Sequence, residues 1–372
     1  MLQAFWQNVV APGLVRRIAP RVAELLSKDH SFLDRLAPVS ESAPAAENAQ
    51  VPQPAPPVSS LSDRVDSLQI FRGYDDNDLK VFQVFAKKEL HPEEGFVTDF
   101  LGSRTRVSIL YDGVKPLEGS VLGFPIPGDF HSEAVEWIVV MKTALTAKGR
   151  YIAMEWGAGW APWLIAGAKA AQHLGITDIR LYGIEADPSH FDAMRRHFLD
   201  NGFVPADHVL LQAAVGTEDG LAQWPDEPDA RNQWGARPIR AGSDQDIDYL
   251  CERVDRFMEV QVLQARGLVL REATWDMVHI DIQGWEGEVC RSCIDALSER
   301  AKWVVIGVHS RIQDAELLQI FHGAGWILEH EKPTRFRYRP LQANFEAMVT
   351  ADGTQVWRNP RLASDPKDYS PG

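Results

Sequence analysis

From about residue 149 onward, apolar residues fall into two alternating patterns. Short, nearly continuous apolar runs at 151–154, 178–185, 208–215, 275–282 and 303–308 suit strands buried on both faces. Between them, apolar positions recur at helical spacing over 163–174, 188–201, 287–297 and 314–324, and Gly202 ends the second of these helices. Two further strands, 326–330 and 345–350, are expected to close the sheet. Strands alternating with helices of this length predict an α/β fold, a Rossmann-like doubly wound sheet of about seven strands.

Upstream the pattern changes. Residues 1–36 read as one or two amphipathic helices, with Phe5, Trp6, Val9, Val15, Ile18 and Val22 among Arg16, Arg17 and Arg21. Such a segment packs on its own domain or trails as a tail, or lies peripherally on a membrane or docks on a partner protein. Residues 37–60 are a Pro/Ala-rich linker. Residues 61–148 form an N-terminal helical extension or lid packed on the core, with helices expected at 61–71, 79–86 and 132–147 and strand-like pieces at 106–111 and 119–122. The Rossmann-like domain then runs over 149–360, leaving 361–372 as a C-terminal tail. After the third core strand comes a polar, Trp- and Pro-rich loop to about 245, too long for a mere connection. The apolar residues Leu250, Val254, Phe257 and Met258 suggest a helix over 247–260.

Composition narrows the partners. With 372 residues and 45% hydrophobic content the chain can build a packed core, and a formal charge of -14 argues against binding nucleic acid phosphates or an anionic membrane generically. Three cysteines are too few for a disulfide framework, so a cytoplasmic setting is expected, peripheral to the inner face of the membrane if residues 1–36 bind there. Cys290 and Cys293 fall in a predicted helix and read as buried small side chains.

Candidate chemistry begins at Glu155-Trp-Gly-Ala-Gly159, where the first core strand ends. Gly157 and Gly159 allow positive φ in a strand-to-helix turn that typically holds a nucleotide-like ligand. A dinucleotide fingerprint needs a third glycine where Pro162 stands, which disfavours a nicotinamide-dependent oxidoreductase. Glu155 suits the ammonium of S-adenosylmethionine better than a pyrophosphate. Glu185, at the end of the second strand, is placed to accept from ribose hydroxyls, while Asp187 suits the N-cap of the next helix. Ala213 and Ala214 leave room for an adenine beside the third strand, and Asp281 emerges at the end of the fourth. Glycine packing alone, or strand-end capping, are the plainer readings of these positions.

Together Glu155-Trp-Gly-Ala-Gly159, Gly183-Ile-Glu-Ala-Asp-Pro188, Asp200-Asn-Gly202, Ala213-Ala-Val-Gly216 and Ile280-Asp-Ile-Gln-Gly-Trp-Glu286 resemble the FkbM-type family of S-adenosylmethionine-dependent methyltransferases, over roughly residues 150–330. The resemblance implies a class I methyltransferase fold and O-methylation of a hydroxyl, as in polysaccharide modification, with a sugar in a glycan or glycoconjugate, or another small molecule, as acceptor. The chain departs from the family at Gln283 and Gly307, where acids are usual. The proton-accepting work then falls to His309 with Asp281 and Glu286, and the same three are an alternative ligand set for a divalent metal. Trp224, Trp234 and Arg237 suit stacking on and hydrogen-bonding a sugar, or simply loop packing; residues 352–360 read as a tight turn and a last strand, in which Arg358 is structural or a contact for an acidic group. The rival to an enzyme is a non-catalytic cofactor-binding or scaffold protein on the same fold.

Overall fold

The computed structural model describes residues 72–87, 89–226, 231, 234–239, 256–340 and 348–366, all within one compact unit, Ser59–Gly372. The expected segments 1–36 and 37–60, the helix at 61–71, most of that at 247–260 and the end of the tail lie outside the described residues.

The extension opens with α1 (Val81–Phe85), followed by a small sheet of β1 (Phe96–Thr98), β2 (Arg104–Arg106) and β3 (Ser120–Val121), and then α2 (Ala134–Thr146). The expected strand at 106–111 is corrected. The chain leaves β2 at Arg106 and coils into short 3-10 turns, which bury Val107, Ile109 and Val114 on one side.

The core follows as β4 (Arg150–Trp156), α3 (Pro162–His173), β5 (Asp178–Glu185), α4 (Pro188–Asp200) and β6 (Val209–Gln212). A second small sheet holds β7 (Ala214–Gly216), β8 (Gly220–Pro225) and β9 (Phe257–Gln264). Then come α5 (Ala265–Val269), β10 (Met277–Ile280), α6 (Glu286–Arg300), β11 (Trp303–Val308), α7 (Arg311–Gly323) and β12 (Ile327–Lys332). The hairpin β13 (Arg335–Phe336) with β14 (Val349–Ala351) and the strand β15 (Gly353–Arg358) complete the series.

The main sheet has seven strands in the order β12-β15-β11-β10-β4-β5-β6, parallel except for β15, which runs antiparallel between β11 and β12. This is the class I methyltransferase fold that the resemblance predicts. Neighbouring strand residues feed opposite faces. Ala153, Met277 and Val305 pack with Ile138, Met141 and Leu164 of α2 and α3, while Met154, Val278 and Ile306 pack with Val289, Leu297 and Leu317 of α6 and α7. Each such fully buried side chain is worth roughly 1.5–3 kcal/mol, so both helical layers are held by the same strands. Cys290 and Cys293 are buried inside α6, where burial pushes the Cys293 thiol up to about 12. They are inert packing groups, as expected.

Two expected elements are corrected. Residues 257–260 begin a strand, because Val260 and Val262 are buried at period two between exposed Glu259 and Gln261. Val349–Ala351 pairs with Arg335–Phe336 and not with the main sheet, whose seventh strand is Gly353–Arg358. The tight turn and last strand expected at 352–360 are present, and Arg358 has the structural role: its Nε donates to Glu329 at 2.9 Å and its Nη1 to the carbonyl of Ala363 at 3.0 Å. No helix among the described residues is long and apolar enough to cross a membrane.

Candidate active site

The crossovers run outward from β4 to β5 and β6, then return to β10 and β11 on the other side, so the order reverses between β4 and β10. Open α/β sheets bind ligands in the crevice at that point. A cavity of about 580 Å³ lies there, lined by the glycine turn, Glu185, Ala213, Ala214, Asp281 and His309.

The turn needs its glycines. Gly157 has φ of 68°, and a Cβ there would collide with the carbonyl oxygen of Asp281. Gly159 has φ of 54° and donates its N–H to Glu185 Oε2 at 2.7 Å, and a Cβ on it would press on the Trp234 ring at 3.2 Å. Pro162 opens α3 after Ala161, which takes a left-handed conformation as its N-cap. Glu185 Oε1 also accepts from the Asp187 N–H at 2.8 Å, so one carboxylate fastens the turn to the entry of α4. Burial raises its carboxyl above the ordinary range, against the opposing pull of His190 and these amides.

Glu155 is buried beneath the turn, and its Oε2 accepts from the Leu164 N–H at 3.1 Å. Burial raises this carboxyl well above its ordinary range; the N–H groups of Leu164 and Trp163 oppose this and Asp281 and Glu185 add to it. A cation in the cavity would draw it back toward ionisation. His279, 2% exposed, lies between Glu155 and Glu136, at 3.8 Å from the first by Nδ1 and 3.7 Å from the second by Nε2. Neither ring nitrogen has a hydrogen-bond partner, and the ring lines the cavity.

At the far side His309 Nε2 is 3.2 Å from Asp281 and Nδ1 is 3.1 Å from Glu286. Burial opposes protonation of His309, but Glu286 and Asp281 outweigh it and hold the ring well above its ordinary range. Burial likewise opposes ionisation of Asp281, yet His309, His279 and the Gln283 amide, 2.7 Å away, hold its carboxyl below the usual range. One ligand atom from each of Asp281, Glu286 and His309 falls within 4.8 Å of the others. Glu286 does not line the cavity, because its Oε1 accepts from Ile282 N–H at 3.0 Å and its Oε2 from Gly284 N–H at 3.0 Å. Its work is to hold the tight turn in which Gln283, with φ of 54°, carries the chain from β10 into α6. Gly307 explains the missing acid of β11: a Cβ there would meet Asp281 Cγ at 3.1 Å.

Ala213 and Ala214 line the cavity but do not end β6. The chain kinks at Ala213, whose N–H donates to the Glu185 carbonyl at 2.9 Å, and Ala214 starts β7 in the second small sheet. Trp224 lines the cavity from β8. Trp234 lies against the glycine turn at Gly159, stacked on His190 with centroids 4.0 Å apart and edge-on to Trp160. Arg237 is not among the cavity-lining residues and lies beside Gly284.

Sequence reasoning missed four lining groups. Glu133 and Glu136 come from the start of α2, Lys332 from the end of β12, and Asp352 from the turn before β15. Lys332 is ion-paired with Glu133, and Ser132 Oγ donates to Glu136. Burial raises the Asp352 carboxyl, with His309 and Lys332 opposing and Asp281 and Glu286 adding.

No protein-family model matches the chain. It is similar to a "Putative methyltransferase" of Jannaschia sp. (strain CCS1), 29% identical over 283 residues that cover 72% of this chain and 94% of that protein. Solved structures similar to it include the precorrin-6y C5,15-methyltransferase of Geobacter metallireducens GS-15, with 12% identity, a TM-score of 0.32 and coverage of 62% of this chain and 89% of that one. Another is the ribosomal protein L11 methylase of Lactobacillus delbrueckii subsp. bulgaricus, with 11% identity, a TM-score of 0.30 and coverage of 65% and 85%.

Proposed function

We propose that this protein is an S-adenosylmethionine-dependent O-methyltransferase of the FkbM type that acts on a sugar hydroxyl. One observation carries the reading: the glycine turn at the switch point is faced by the carboxyls of Glu155, Glu185 and Asp281, while the lysine lining the cavity, Lys332, is paired with Glu133. That wall offers a pyrophosphate little counter-charge and suits a cofactor that carries cationic sulfur and nitrogen, which would favour the ionised carboxylates, and no phosphate. The relative from Jannaschia supports methyl transfer as the reaction.

The residues fit that cofactor. Gly157 and Gly159 leave the backbone bare, and Glu185 has lone pairs beyond its two backbone contacts for ribose hydroxyls. Ala213 and Ala214 are small enough for a flat base. When bound, S-adenosylmethionine supplies a methyl on positively charged sulfur; the acceptor oxygen bonds to it as the sulfur–carbon bond breaks, leaving S-adenosylhomocysteine and a proton. The chain must align the hydroxyl and take that proton. His309, expected for this role, has its nitrogens 3.2 and 3.1 Å from the Asp281 and Glu286 carboxylates, closer than the 3.8 and 3.7 Å at His279, which favours its protonated form and a part in orienting Asp281. His279 has no hydrogen bond at either nitrogen, lines the cavity and has Glu136 and Glu155 at ion-pair distance, which favours it as the proton acceptor.

Calorimetric titration of the full chain with S-adenosylhomocysteine and with NAD tests the reading. Saturable heat with the first and none with the second is expected, and Glu185→Gln should weaken binding about ten-fold by removing a charged acceptor. No heat from S-adenosylhomocysteine in folded protein rejects the proposal, and NAD binding in its place would support the oxidoreductase.

A further inference from the structure

The cavity has two ends, set by sheet order. The glycine turn and Glu185 belong to β4 and β5. Asp352 precedes β15, whose Gly353 pairs with Val308 of β11, so it stands beside His309. From β4 across β10 and β11 to β15 is three strand spacings, roughly 14 Å. A cofactor seated on the glycine turn leaves this far end to the acceptor.

The far end carries more carboxylates than cations. Lys332 is matched by Glu133, and the His309 ring faces two carboxylates, Asp281 and Glu286. Glu136 and Asp352 add to that excess, and among the described residues no hydrogen bond or ion pair engages the Asp352 carboxylate, although it lines the cavity. A second, independent feature points to a polar ligand. His279 is 2% exposed, lines the same cavity and has no hydrogen-bond partner at either nitrogen. A buried imidazole in that state is waiting for a hydroxyl or a water. The wall between is aromatic, with Phe130, Trp160 and Trp163 lining the cavity, a surface that suits both the flat face of a pyranose and a cation.

We infer that the β11–β15 end of the cavity binds the ammonium group of an amino-bearing polyol, such as an amino sugar, with Asp352 as its counter-charge and His279 at the hydroxyl. A carboxylate or phosphate on the acceptor would instead face Asp352, Asp281 and Glu136. The inference rests on the methyltransferase reading, since it takes the glycine turn as the cofactor's end.

The test uses the full chain saturated with S-adenosylhomocysteine at pH 6.5, titrated calorimetrically with D-glucosamine, D-glucose and D-glucuronate. D-glucosamine should bind at least ten-fold more tightly than D-glucose, and D-glucuronate more weakly than either. In Asp352→Asn the advantage of the amine should vanish, with the melting temperature and the S-adenosylhomocysteine affinity reporting that the fold is intact. The inference is overturned if D-glucose or D-glucuronate matches D-glucosamine, if none of the three binds, or if the variant keeps the preference. The preference of the unaltered protein decides the matter even if the variant does not fold. Failure of S-adenosylhomocysteine to bind would instead reject the reading beneath it.

Discussion

His197 shows how a single buried side chain writes a pH dependence into the molecule. Its Nδ1–H donates to the Trp160 carbonyl at 2.8 Å, which leaves Nε2 to accept from the Thr105 hydroxyl at 3.3 Å, so the ring is held neutral. Burial pushes it from 6.5 down to about 4. Between those values the unfolded chain binds a proton that the folded one refuses, so stability is full above about pH 6.5 and falls toward pH 4 by up to about 3 kcal/mol. Urea denaturation at pH 7 and pH 4.5 should show this loss, and His197→Gln should reduce it; an equal loss in both proteins would reject the assignment. At this scale the sequence was readable where a residue ends a parallel strand. Glu155, Glu185 and Asp281 meet at one cavity because strand ends converge at the switch point. Asp352, Lys332 and Glu136 were not readable, because an antiparallel strand, its neighbour and a helix of the extension bring them in from distant parts of the chain.

Elements were legible where local chemistry sets their ends. Asp187 caps α4 by accepting from Ser189 and His190 N–H groups at 2.8 and 3.1 Å, with Pro188 at the first helical position, as its place in the sequence implies. Asp187→Ala should lower stability by about 1 kcal/mol, measured as a shift in the denaturation midpoint. It should leave S-adenosylhomocysteine affinity within about two-fold, because the contact of residue 187 to Glu185 is made by its backbone N–H. The elements that escaped were those decided by pairing at long range. Residues 257–264 alternate Val260 and Val262 with Glu259 and Gln261, yet their apolar start also fits a helix, and the partner strands β7 and β8 make the choice. Residues 345–350 were apolar enough for the sheet, but the turn at Asp352 hands that place to the next segment.

Across the whole molecule, a buried ionic group helps to lock the extension to the sheet. Lys142 of α2 donates to Asp78 Oδ1 at 2.9 Å and to His330 Nε2 at 2.9 Å, while His330 Nδ1–H donates to the Gly73 carbonyl at 2.8 Å. Residues near the start of the described chain are thereby tied to β12, an association that no local pattern announces. Asp78→Ala would leave the Lys142 ammonium, 3% exposed, with the more distant Asp365 carboxylate, 4.0 Å away, as its counter-charge, and should cost about 3 kcal/mol in urea denaturation. Adding Lys142→Met should recover much of it; if the double variant is no better than the single one, the lock lies elsewhere. The sheet itself has a different vulnerability, one of timing. Gly353–Arg358 fits between β11 and β12, both made before it. On the ribosome, β12 has no partner in the main sheet and β11 keeps an open edge until that late segment emerges, so the nascent chain carries an exposed pairing surface that invites chaperones or neighbours. Asp352 and Thr354 arrive with the same segment, so the β11–β15 end of the cavity is the last part of its wall to come into being.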